Sequence, residues 1–235
     1  MMKKVAIIQS NYIPWKGYFD MIRNVDLFIF YDHVQYTKRD WRSRNYIKAP
    51  EGKRLLSIPC GCNTNRKIYE VELPSNDWQK KHWDSIRQCY KKAPFFFKFK
   101  PFFDEIYLGR RWKYLSELNQ YVIKKIAADI LKTTTVFEDS RTYNLQLSKA
   151  EGVKEILQKC DCEIYLCGPA AKDYLSDDFI GTMSSKLVWM DYSGYPAYRQ
   201  LYAPFEHNVS IIDMIFNLGY ETINYMKKIN LEQMI

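Results

Sequence analysis

No apolar run in these 235 residues approaches the roughly 20 that a membrane-spanning helix needs. The opening, MMKKVAIIQSNY, has the basic start of a signal peptide, but its apolar stretch is too short and no small-residue cleavage site follows. It reads instead as a first strand, and a cytoplasmic location is expected. Repeats, low-complexity tracts and long linkers are also missing, so one α/β domain over 1–235 is the economical expectation. Only three histidines occur, His33, His82 and His207, which narrows the choice of acid–base groups. The six cysteines include two C-x-C pairs, Cys60/Cys62 and Cys160/Cys162. That spacing is tighter than the C-x2-C to C-x4-C of zinc sites, so reduced structural thiols are expected and no metal.

What is present in excess is aromatic and basic. Aromatics make up 16% of the chain, with 19 Tyr and 6 Trp, and the net charge is +8. Tyr and Trp pair a stacking face with a hydrogen-bonding tip, which suits sugars and bases as well as cores. The positive balance favours an acidic partner: nucleic acid, an anionic membrane surface or a small phosphorylated molecule. A hydrophobic share of 47% excludes disorder.

Val5–Gln9 and Asp26–Tyr31 read as buried strands, with a short helix at Gly17–Asn24 between them. Strand, helix and strand within about 30 residues is a βαβ unit and predicts a parallel sheet covered by helices. Arg44–Lys48 and Arg54–Ile58 flank the turn APEG and predict a hairpin, and Lys67–Leu73 alternates like another strand. A helical insertion is expected over about 76–131: a helix at Asp77–Lys92 capped by Asn76, then a long amphipathic helix at Arg111–Leu131. Strand and helix signals return at Thr134–Phe137, Leu145–Cys160, Glu163–Cys167, Gly168–Leu175 and Leu187–Met190. A final helix follows from Ser210, with Asp213 at capping-box spacing. The predicted fold class is α/β: a Rossmann-like, mostly parallel sheet with flanking helices, a β-hairpin excursion and the helical insertion.

Ligands of open parallel sheets sit beyond the carboxyl ends of the strands. The first strand runs into QSNYIPWKGY, crowded with Gln9, Asn11, Tyr12, Trp15 and Tyr18 around Gly17, where a plain turn needs only small residues. The second runs into DHVQYTKRDWRSRN, with Gln35 and then four cations against one anion from Lys38 to Asn45. Strand-like alternation there would place Lys38, Arg42 and Arg44 on one face and Arg39 and Trp41 on the other. Guanidinium groups beside Trp and Tyr suit a phosphate carrying a ring; the alternative is a hairpin whose charges are merely solvated.

QSNYIPWKGYFDMI, followed by QYTKRDWRSRNYIK, resembles the WbqC-like family of bacterial proteins. Ile58–Pro59, His82, the Asn119 region, YLCGPAAKDYL, DYSGYPAYRQ and SIIDMIFNLG extend the resemblance over nearly the whole chain. Cys167 departs from it, since Ser is the more frequent residue there. The resemblance implies a setting in O-antigen and other surface-polysaccharide gene clusters and hence nucleotide-sugar substrates; it implies no settled mechanism. In that setting Arg39, Arg42 and Arg44 would hold a pyrophosphate, and Trp15, Tyr18 or Trp41 would stack on sugar or base. Gln9, Asn11 and Asn45 would read hydroxyls or amides.

For proton chemistry His82 is the first candidate base, although its place on a buried helical stripe also suits a core residue. Asp32 and His33 come next, and His207 reads as a loop residue. Asn11, Gln9 or an arginine would steady an oxyanion. Asn119 either braces a loop or touches ligand. Cys167 and Gly168 stand where a strand meets a helix N-terminus, a place that can bind anions or activate a thiol, though a small buried junction residue is the preferred reading of Cys167. KKAPFFFKFKPFF fits an aromatic lid over the sheet or a surface for a membrane or partner; single-stranded nucleic acid is disfavoured.

The reading is therefore an enzyme transferring an acyl or aminoacyl group to the amine of a nucleotide-linked or amino sugar. Its partners would be that phosphorylated sugar and an acyl or aminoacyl donor. A non-catalytic sugar-nucleotide or assembly protein is the alternative. So is an ATP-using nucleotidylyltransferase-like enzyme, suggested by P-x-x-G after the first strand and by TMSSKL at Thr182–Leu187. The residues require no cofactor, and ATP is compatible with them.

Overall fold

A computed structural model describes residues 2–75, 77–173 and 175–234. Strands β1 (Lys4–Ile8), β2 (Leu27–Phe30), β5 (Val136–Asp139), β6 (Ile164–Cys167) and β7 (Lys186–Trp189) form a parallel sheet in the order β5-β2-β1-β6-β7. Every residue of β2 and β6 is buried, as helices on both faces require. The strand period of two splits the apolar side chains between the faces. Ala6, Phe28, Phe30 and Leu166 join one core, and Val5, Ile7, Leu27, Ile29, Tyr165 and Cys167 join the other. Helix α1 (Lys16–Arg23) packs into the first of these cores, and α5 (Lys149–Lys159) packs on the second through Val153, Ile156 and Leu157.

From β1 the chain builds outward through β2 to β5, then returns to lay β6 and β7 on the other side. The carboxyl ends of β1 and β6 therefore flank a topological switch point, where connections leave in opposite directions and open a crevice. The hairpin excursion is β3 (Arg44–Ala49) with β4 (Gly52–Ser57), paired from Arg44↔Ser57 to Ala49↔Gly52.

The insertion contains three helices, α2 (Trp78–Tyr90), α3 (Phe96–Tyr107) and α4 (Leu115–Lys125), and α4 runs on as a π-helical turn at Ile126–Ile130. Asn76, the expected cap, lies outside the described residues. Lys67–Leu73 is not a strand. Ile68 and Val71 are both fully buried, and that spacing of three belongs to the 3-10 turn at Ile68–Glu70. The aromatic stretch forms α3 rather than a lid on the sheet. Phe96, Phe99 and Phe103 recur at helical spacing and are buried, and Trp83 stacks on Phe96, Phe103 and Tyr107 at centroid distances of 5.8 to 6.1 Å. Phe97 faces solvent.

A short helix α6 (Asp177–Gly181) precedes β7, and an irregular segment over 190–209 leads to α7 (Ile212–Leu218). The expected capping box is not made. Asp213 turns inward to accept from the Tyr198 hydroxyl and from Gln200, while the Ser210 hydroxyl accepts from the Ile212 N–H.

Candidate functional site

Two early segments close over the crevice. The Tyr12 N–H donates to the Trp41 carbonyl at 2.9 Å, and the Asn45 amide donates to the carbonyls of Tyr12 and Ile13. Asn119, fully buried on α4, donates to the carbonyls of Arg42 and Ser10 at 2.8 and 3.4 Å. It braces both loops at once. The Ser10 N–H is held by Asp32 at 2.8 Å, and the other Asp32 oxygen accepts from Gln120. Ile13 is fixed in the left-handed region at φ 37°, unfavourable for a β-branched side chain, and its side chain is fully buried.

These braces leave a cavity of about 740 Å3 at the switch point, lined among others by Gln9, Asn11, Trp15, Tyr18, Gln35, Arg42 and Gly168. That volume falls within the roughly 300–1,000 Å3 of small-molecule sites. A second chamber of about 300 Å3 adjoins it, lined by Asn11, Pro14, Trp15, Trp41, Asn45 and Asn208. Asn11 and Trp15 belong to both chambers. Gly17 serves the Trp15 indole: a Cβ on Gly17 would stand 2.4 Å from its Cζ2, so only glycine lets the ring lie on the first turn of α1. Tyr192 packs edge-on against Trp15 at 5.0 Å and supplies another wall.

Arg42 donates to the Gln9 side-chain oxygen at 3.1 Å and meets Asp40 at 3.2 Å. Its Nε and the Asn11 Oδ1 are buried without a hydrogen-bond partner among the described residues. Buried polar atoms are normally satisfied; of the seven such atoms without a partner among the described residues, these two belong to residues that line the cavity. Arg42 and Lys149 are the charged residues lining the large chamber, and no charged residue lines the small one. Burial pushes the Cys167 thiol up to about 11, and it points at the Tyr165 hydroxyl, so it stays a neutral thiol at the cavity wall.

Other expected site residues lie elsewhere. Lys38 to Ser43 form turns, not a strand, so the predicted pair of faces does not exist. Lys38 and Arg39 project into solvent, Arg39 with φ 57°, and Arg44 sits half-buried on β3 outside both chambers. Tyr12 turns away from the crevice, where its hydroxyl meets Tyr107 at 2.7 Å and His82 Nδ1 at 2.8 Å. The other ring nitrogen of His82 lies 3.2 Å from the Ser57 carbonyl, and burial pushes the imidazole down to about 4. His82 is thus a neutral, satisfied core residue with no place in either chamber. Asp32 is fully buried and burial raises its pKa, but its oxygens hold the loop and do not line the cavity. His33 also lies outside both chambers, and His207 Nδ1 lies 2.9 Å from the buried Lys16 ammonium.

Sequence reasoning missed Tyr192, Tyr31, Lys149 and Asn208 as lining residues. Tyr192 falls in the DYSGYPAYRQ motif, but no local pattern tells which of its tyrosines reaches back to the first strand. TMSSKL leads into the start of β7, which pairs with the start of β6 at the sheet edge opposite the cavity. It is badly placed to serve a nucleotide at the carboxyl ends. A shallower groove of about 980 Å3 runs along α4 near Arg141, but Arg66, Lys124 and Arg141 are matched there by Glu70, Glu72 and Glu117, which removes any preference for an anion. No group of three His, Cys, Asp or Glu among the described residues is placed to hold a metal ion.

Fold and site together define an α/β protein of Rossmann-like strand order with a ligand-sized, arginine-bearing cavity at its switch point. The chain belongs to the WbqC-like protein family, whose pattern it matches over residues 9–225. It is 40% identical over 228 residues to the uncharacterized protein Rv1507c of Mycobacterium tuberculosis, spanning 96% of this chain and 98% of that one. No solved structure matches it. Among the described residues no helix is long and apolar enough to cross a membrane.

Proposed function

We propose that this protein binds a nucleotide-linked sugar at the switch-point cavity and modifies it during surface-polysaccharide biosynthesis, by transfer of an acyl or aminoacyl group to a sugar amine. The observation that carries the reading is Arg42. Its guanidinium side chain lines a cavity with aromatic walls, and its Nε is buried without a partner among the described residues. A pyrophosphate oxygen is an acceptor that a guanidinium pairs with strongly, by charge-assisted hydrogen bonds. Tyr192 offers an aromatic wall to a planar base.

No carboxylate or imidazole lines either chamber among the described residues. The chemistry compatible with that wall is attack by an already neutral amine on an activated acyl donor such as a thioester. The new C–N bond forms as the C–S bond breaks, and the amine proton leaves with the thiolate. The protein then contributes proximity and hydrogen bonds: Asn11, which lines both chambers, accepts from the amine. Desolvation in a chamber without carboxylates favours the neutral amine over the ammonium. The same lack of acid–base groups favours a second reading, a binding protein that presents the sugar nucleotide to another enzyme.

Thermal melts against a panel of nucleoside diphosphate sugars test the binding. Saturation at about 100 times Kd is expected to add about 2.7 kcal/mol of stability, and Arg42→Ala is expected to lose that gain while its own melting temperature stays near wild type. A large fall in the melting temperature of the unliganded variant would mark Arg42 as a structural residue and remove the reading. Mass spectrometry of the sugar after incubation with acyl donors separates an enzyme, which adds mass, from a presenter, which does not.

A further inference from the structure

The two chambers differ in charge as well as size, and a nucleotide sugar has the same division. Resting on the reading above, we propose that the small chamber holds the sugar ring while the nucleoside diphosphate stays in the large one. The cations Arg42 and Lys149 face the large chamber only, so phosphates have no counter-charge in the small one. At about 300 Å3 the small chamber stands at the lower end of ligand pockets, with room for a single ring and not for a nucleotide.

Its walls suit a pyranose. Trp15 and Trp41 supply flat apolar faces for the ring's C–H side, and Pro14 extends them. Asn45 is committed to the floor, since its amide holds the Tyr12 and Ile13 carbonyls and its oxygen accepts from the Tyr46 N–H. Asn11 and Asn208 are not so engaged. The Asn11 oxygen is buried without a partner, and only the Asn208 backbone is tied, to Glu206. Two open carboxamides among apolar walls, with no charge, is the chemistry of a neutral polyhydroxyl or amide-bearing ring. Asn11 stands in the wall common to both chambers, so a ligand bridging them passes its sugar–phosphate junction over that side chain.

Calorimetric titration of wild type, Trp41→Ala and Arg42→Ala tests this with two ligands: a nucleoside diphosphate, and the same nucleotide carrying a hexosamine. Trp41 is 46% exposed, so its truncation is expected to spare the fold, which the melting temperature checks. Trp41→Ala should weaken the nucleotide sugar about tenfold, equivalent to about 1.4 kcal/mol, and leave the plain diphosphate within about twofold. Arg42→Ala should weaken both. Equal losses for the two ligands in Trp41→Ala, or none for either, overturn the assignment of the small chamber while the nucleotide reading stands. If wild type binds neither nucleotide, that reading fails, and free hexosamine decides the chamber: binding lost in Trp41→Ala upholds it, and no binding overturns it too.

Discussion

Two clusters of buried polar groups lie on opposite sides of the loop after β1, and they differ in whether their atoms have partners. On the insertion side Tyr12, His82, Tyr107 and the Ser57 carbonyl close a chain of hydrogen bonds. On the crevice side the Asn11 oxygen and the Arg42 Nε are left open. A satisfied network specifies the fold, whereas an unsatisfied one costs free energy until something binds. Asn11 and Arg42 combine an unpartnered atom with a place in the cavity lining, whereas Ser10 and Asn119 carry an unpartnered atom and line neither chamber.

Substitutions on the two sides of the loop should behave differently. The largest effect is expected on the insertion side, where Trp83→Ala empties the aromatic stack against Phe96, Phe103 and Tyr107 and should cost about 3–5 kcal/mol in denaturant unfolding. Tyr12→Phe leaves the His82 and Tyr107 groups without their shared hydroxyl and should cost about 1–3 kcal/mol. Ligand affinity should hold in that variant; a selective loss of binding at unchanged stability would place Tyr12 in the site after all. On the crevice side the signs reverse. Asn11→Ala removes an orphan acceptor and should leave stability within about 0.5 kcal/mol, while weakening nucleotide-sugar binding.

A pH dependence is also expected. His82 is depressed in the folded state to about 4, below its usual 6.5, by burial. The unfolded chain therefore binds more protons between those values, so stability from this group is complete above about 6.5 and is lost as pH falls toward 4. Asp20, raised by burial to about 6, carries the opposite slope over much of that window, so the His82 share is read as the difference between wild type and His82→Gln in urea unfolding. A slope unchanged in the variant would assign it to other groups.

Much of the fold was legible. The βαβ opening, the hairpin around APEG and the strand at Glu163–Cys167 appear within a residue or two of expectation, because each has its own period or turn chemistry. The strand expected at Lys67–Leu73 failed because an alternating run of seven also satisfies the spacing of a buried 3-10 turn. In the site, Gln9, Asn11, Trp15, Tyr18, Gln35, Arg42 and Gly168 were named from their position after strands, and the cavity gathers them. The arginines were separable only by direction: Arg42 turns in while Arg39, three residues earlier, turns out, because residues 38–43 are successive turns with no common period.

By itself the sequence determined the class of fold, the family and the two loops that approach each other, since these follow from local periodicity and from residue types unsuited to plain turns. Only the tertiary structure decided which polar groups find partners. His82 and Asp32 are satisfied by groups distant in the chain, while Asn11 and Arg42 keep open atoms. Satisfaction depends on where carbonyls and amides from other segments come to rest, and that is a property of packing in three dimensions.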